Sequence, residues 1–161
     1  AYYYIDNVKV VPVDAKSQCN CSRSSNTAPD LVYGGAKLPN ELTGRDLVSR
    51  TAVYYAFVKR SFTEDGKSSL DRLAGVPKSN PSWTLEVMGH CDDDEVSEGK
   101  INPRFSEMGR KRAEQVKRYL TSQGVSEGSV VVRGLENSDP ASTKDSDLAR
   151  AKNRRVTFRI K

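Results

Sequence analysis

Met108-Gly-Arg-Lys-Arg-Ala-Glu-Gln-Val-Lys-Arg-Tyr-Leu120 is the stretch on which the reading of the fold turns. Set 100° apart around a helix axis, Phe105, Met108, Ala113, Val116, Tyr119 and Leu120 form a single apolar stripe. Arg110, Lys111, Glu114, Lys117 and Arg118 fall on the opposite, solvated side. The spacing predicts a long helix over 103–123, opened by Pro103 and closed by Gly124. Arg112 breaks the pattern, because it sits near the middle of the apolar stripe. A guanidinium is always charged and costly to bury without a partner. Two readings follow: an internal salt bridge or a side chain snorkelling to the stripe's edge, or a cleft in which a ligand's carboxylate meets the planar fork of donors.

Working outward, the chain alternates strands and helices. Residues 52–58 are β-branched and aromatic and read as a strand, followed by a helix over 64–76 with Thr63 as N-cap and Leu70 and Leu73 turned inward. A strand over 84–88 ends at Gly89, and an acidic loop leads to the long helix. Residues 129–133 form a third strand, 146–152 a short helix and 155–160 a last strand. The expected fold is an α+β sandwich, β-α-β-α-β-α-β, with helices packed on a mixed four-stranded sheet. Upstream, residues 1–13 alternate as a strand, and 14–30 are rich in Ser, Asn, Asp and Cys, as in a linker. Residues 14–50 as a whole are expected to connect. The chain opens directly in strand-like Ala1-Tyr-Tyr-Tyr4, so a longer parent is expected upstream.

Composition narrows the function classes. Of 161 residues, 36% are hydrophobic and 29% charged, the balance of a soluble domain, and no run reaches the roughly 18–20 apolar residues of a membrane span. The net charge of +5 suits an anionic partner or simple solubility. Aromatic-basic RNA-binding motifs are missing, so nucleic acid is not expected. One histidine and three cysteines, Cys19, Cys21 and Cys91, give no second ligand cluster for zinc. His90 near Asp92 is the single candidate for a catalytic or metal pair, and no nucleophile elbow or phosphate loop accompanies it. Neither an enzyme nor a cofactor is expected.

The segments Val53-Tyr-Tyr-Ala-Phe57, Leu85-Glu-Val-Met-Gly-His-Cys-Asp92, Met108 to Leu120, Val132-Arg-Gly134 and Ala151-Lys-Asn-Arg-Arg-Val156 resemble, in order, the motifs of OmpA-like domains. The resemblance covers about 51–161. It implies a periplasmic, outer-membrane-associated module that binds the peptidoglycan stem peptide non-covalently and holds an outer-membrane or secreted protein to the cell wall. Carried over residue by residue, it assigns Asp92 and Arg112 to diaminopimelate, the zwitterionic diamino acid of the stem. An ammonium meeting the carboxylate and a carboxylate meeting the guanidinium would satisfy both. Phe57 matches an aromatic beside the ligand, and Asn153, Arg154 and Arg155 match the closing motif, of which Asn153 and Arg155 are taken as site residues.

Two departures stand out. Val58 replaces a family aspartate, and the segment between Asp92 and Met108 is about five residues longer and acidic, with Asp93, Asp94, Glu95 and Glu98. Asp93 is a stand-in for Asp92 in the ligand role. The acidic run lacks the glycine and closing glutamate of an EF-hand, so calcium is not expected. A scaffold that serves other envelope proteins in a stator or secretion complex, without stem binding, is the alternative function. The first thirteen residues resemble the closing strand of a jelly-roll domain.

Overall fold

In this computed structural model, residues 41–161 are described. The expected terminal strand at 1–13, and the connecting segment up to residue 40 with Cys19 and Cys21, lie outside the described residues. The described elements run α1 (Gly44–Arg50), β1 (Ala52–Tyr54), α2 (Glu64–Ser79), β2 (Leu85–His90), α3 (Asp93–Ile101), a 3₁₀ turn (Pro103–Phe105), α4 (Met108–Ser122), a second 3₁₀ turn (Glu127–Ser129), β3 (Val130–Glu136), α5 (Asp147–Asn153) and β4 (Arg155–Ile160). The strands lie in the order β1-β4-β2-β3. β4 is antiparallel to β1 and β2, while β2 and β3 are parallel. The mixed α+β architecture expected from the chain's periodicity is the one observed.

The helical layer follows from the stripes. Leu70 and Leu73 of α2 meet Ala113, Val116 and Leu120 of α4 over Val53, Leu85, Val87, Val156 and Phe158 of the sheet, all buried. Each of these leucine, valine and phenylalanine side chains contributes roughly 1.5–3 kcal/mol through its burial. Thr63 caps α2, its hydroxyl accepting the Gly66 amide at 3.1 Å. α1 also joins this core through Leu47 and Val48, so the last seven residues of the expected connecting segment 14–50 belong to the folded unit.

Backbone meets backbone where α4 crosses β2. A Cβ on Gly89 would fall 1.8 Å from the Gly109 carbonyl oxygen, and one on Gly109 2.5 Å from that of Gly89. Only two glycines permit this approach, which sets Arg112 one helical turn beyond the crossing.

Three elements depart from the sequence expectation. The predicted long helix is divided: Pro103 opens a 3₁₀ turn, and left-handed Glu107 (φ 51°) separates it from α4. The acidic loop is a helix, α3, capped by Asp92, whose carboxylate accepts the Glu95 amide at 2.8 Å. Asp-x-x-Glu with acids in the first turn is a helix-start pattern. β1 ends at Tyr54 rather than continuing to 58, because the chain there leaves the sheet and Val58 turns left-handed (φ 48°).

Candidate functional site

The site grows from the C-terminal end of β2, where three elements bring four charges together. Arg112 on α4 is 0% exposed. Its guanidinium donates to both carboxylate oxygens of Glu95 on α3, at 2.5 and 2.7 Å, a bidentate fork. The remaining donors meet the carbonyls of Lys59 (2.9 Å), His90 (3.2 Å) and Ala56 (3.3 Å), and the group lies 4.9 Å from the Tyr55 ring centroid. Glu95 is equally buried and takes a third bond from the Val58 amide at 2.7 Å. Burial pushes the Glu95 carboxyl above its usual range, with Arg112 and the Val58 amide pulling against it.

Asp92, 1% exposed, stands beside this pair with both oxygens engaged. One caps α3, and the other accepts a hydrogen bond from the Arg154 guanidinium, which also donates to the Tyr55 carbonyl at 3.2 Å. Two buried ion pairs, Arg112–Glu95 and Arg154–Asp92, therefore share one corner of the fold. Arg112 and Asp92 arrive at the same corner but are not bridged to each other. The interior reading of Arg112, a salt bridge, is the state observed.

The other sequence-selected residues divide. Phe57 is 41% exposed on the loop that supplies the Ala56 and Lys59 carbonyls, so it stands at the rim. Asp93 is exposed and accepts a bond from Asn137 at 2.8 Å, away from both pairs. Asn153 bonds the amide and carbonyl of Ser142 at 3.0 and 2.8 Å, tying down the loop before α5. Arg155 pairs with Asp139 at 3.5 Å on the sheet face opposite α4, together with His90 and Thr157. It is not brought to Arg112. Its neighbour Arg154, the C-cap of α5 just before the strand, reaches Asp92 instead. Sequence reasoning missed both Arg154 and Glu95 as site groups; the capping pattern Asp92-x-x-Glu95 was the available signal for the second.

Around the corner, other polar groups are structural. Glu136, left-handed at φ 49°, accepts the Gly109 and Arg110 amides at 2.9 and 3.0 Å and closes the start of α4, where Glu107 supplies no side-chain cap. Cys91 donates to Glu136 at 3.1 Å, and burial raises its thiol pKa far above the reactive range. His90 is held neutral: burial first, then Arg155, lower its pKa to about 4. Among the described residues no group of three His, Cys, Asp or Glu is arranged for a metal, and no helix is long and apolar enough to cross a membrane.

An α+β sandwich with a buried guanidinium on the helix after the Gly-His-x-Asp turn defines a class, and the chain belongs to it: the model of the OmpA family matches residues 54–154. Among individual relatives, it is 30% identical over 139 residues to the peptidoglycan-associated lipoprotein of Haemophilus influenzae, spanning 86% of each chain. It is 28% identical over 141 residues to the protein of that name from Pasteurella multocida, covering 87% of this chain and 86% of that one. The crystal structure of the peptidoglycan-associated lipoprotein from Burkholderia pseudomallei superposes with a TM-score of 0.61 at 25% identity, over 72% of this chain and 94% of that one. The periplasmic domain of Helicobacter pylori MotB shares the fold at 22% identity and a TM-score of 0.57, over 67% of each chain.

Proposed function

We propose that this domain anchors an outer-membrane or secreted protein to the cell wall from the periplasm, by gripping the diaminopimelate of the peptidoglycan stem non-covalently. The observation that carries the reading is the corner itself. A buried carboxylate, Asp92, and a buried guanidinium, Arg112, stand at the end of β2 behind the exposed ring of Phe57. Relatives named peptidoglycan-associated lipoproteins support it.

Binding here is an exchange. The ligand's ammonium takes the place of Arg154 at Asp92, and its carboxylate takes the place of Glu95 at Arg112. Each internal pair lost is replaced by an equivalent pair, so the net gain is a small difference between large terms. Affinity for a single stem is accordingly modest. The chemistry calls for no bond making or breaking, and the domain acts as a binding module rather than an enzyme.

Purified sacculi test the reading. Wild type should co-sediment with them, and free meso-diaminopimelate should displace it. Asp92→Asn and Arg112→Ala, each checked for folding by circular dichroism, should bind at least tenfold more weakly, in line with the cost of unpairing a desolvated charge. A folded wild type left in the supernatant would overturn it. One observation favours a second reading, a scaffold for other envelope proteins without stem binding: the bidentate Glu95 already satisfies Arg112. On that reading sacculi ignore the wild type and Glu95→Gln alike.

A further inference from the structure

Beside the buried corner, an open groove of about 470 Å³ runs along the outer edge of α4, lined by Arg60, Phe62, Gln115, Arg118 and Tyr119. Two of its five lining residues are arginines outside the ion pairs of the described residues, as Arg45, Arg50 and Arg104 are elsewhere. Arg110, Arg112, Arg133, Arg150, Arg154 and Arg159 each have a carboxylate partner. Arg60 and Arg118, from different parts of the chain, have none among the described residues, yet they line one concavity. Two like charges lining one groove favour an anion between them.

The walls are fixed in advance. Phe62 and Tyr119 pack edge to face, with ring centroids 5.3 Å apart and planes at 71°. The Tyr119 hydroxyl donates to Asp71 at 2.5 Å, which anchors that ring. Gln115 adds an amide that both donates and accepts. The groove also continues the site already described. Arg60 follows Lys59, whose carbonyl accepts Arg112, and Gln115 lies three residues beyond Arg112, on the neighbouring helix surface.

We infer that this groove is a second anion subsite, which takes a free carboxylate of the wall peptide next to the diamino acid held at Asp92 and Arg112. The inference rests on the stem-binding reading and extends it by one peptide unit. Arg60 and Arg118 grip the carboxylate, Gln115 bonds the adjoining amide, and the two rings pack against the aliphatic carbons. The subsite makes the domain sensitive to amidation of that carboxylate, because an amide brings no charge to offset the two guanidinium groups.

Two soluble muropeptides provide the probes: an Ala-γ-Glu-diaminopimelate tripeptide with a free α-carboxylate on its glutamate, and the same tripeptide amidated there. Calorimetric titration of wild type should give about tenfold tighter binding of the free acid. The Arg60→Gln/Arg118→Gln double variant alters exposed positions and should melt like wild type. It should bind the free acid about tenfold more weakly than wild type does and the amidated peptide equally well, so that the preference vanishes. Equal affinity of wild type for the two peptides overturns the subsite while leaving the stem-binding reading intact. So does a double variant that retains the preference, or one that loses the same factor for both peptides. Failure of folded wild type to bind either peptide ends both readings.

Discussion

Removing the Glu95 carboxylate is the most demanding perturbation of this domain. Glu95→Ala leaves a fully buried guanidinium with three backbone carbonyls and a ring face but no anion. Breaking one side of a buried pair costs about 3–5 kcal/mol. With a urea dependence of roughly 2 kcal/mol per molar, the unfolding midpoint should fall by about 2 M. Trp83, the single tryptophan, reports the transition. Arg112→Met strands the carboxylate instead, which can escape by taking up a proton. The sign follows: an acid whose folded pKa is raised above its unfolded value is stabilising below the unfolded pKa, and that stability is lost as pH rises through the folded pKa. Arg112→Met should therefore cost less at pH 4 than at pH 8. Glu95→Leu/Arg112→Met, which removes both charges and keeps the volume, should be less destabilised than either single variant. A midpoint shift under 0.5 M for Glu95→Ala, equivalent to about 1 kcal/mol, would refute the reasoning, since it would mean that Arg112 already reaches water.

Four further outcomes are expected. Val58→Asn should stabilise by about 1 kcal/mol in thermal melts, because a β-branched residue at φ 48° is strained and Asn tolerates that region; a loss of stability would show that the valine side chain packs favourably. Glu136→Ala should destabilise by about 1–2 kcal/mol and speed amide exchange at Gly109 and Arg110, whose amides it receives; unchanged exchange would remove its capping role. His90 is neutral in the fold down to about pH 4, while the unfolded histidine charges near 6.5, so the unfolded state holds more protons between those values and stability falls as pH drops through that window. The loss is on the order of 2–3 kcal/mol, and His90→Gln, beside Arg155, Asp139, Glu136 and Thr157, should flatten it in denaturation curves taken from pH 7 to 4. Gly89→Ala should cost about 3 kcal/mol or more, measured by melting temperature, because its Cβ has nowhere to go.

How much of this was legible beforehand depends on whether the cause is local. The β4 strand over 155–160 and the Thr63 cap follow from alternation and from one hydroxyl, and both were readable. Arg112 was conspicuous because four buried apolar neighbours on α4 define the stripe that it interrupts. Its partner was not, since Glu95 lies 17 residues away and its helix was taken for a solvated acidic loop. The choice between Arg154 and Arg155 depends on the phase of β4, which pairing with β1 and β2 sets and composition does not. The groove beside α4 was invisible, because its two arginines stand 58 positions apart and meet only once α4 is docked.

The glycine crossing has a consequence for motion. With peptide planes of strand and helix in direct touch, Arg112 sits on a floor that cannot tilt without losing the core beneath it. The lid over the guanidinium is different: α3 is a nine-residue helix with Glu95 as its single buried side chain. A guest that takes the place of Glu95 at Arg112 therefore lifts a light lid from a stationary floor, since that helix has one buried side chain to give up.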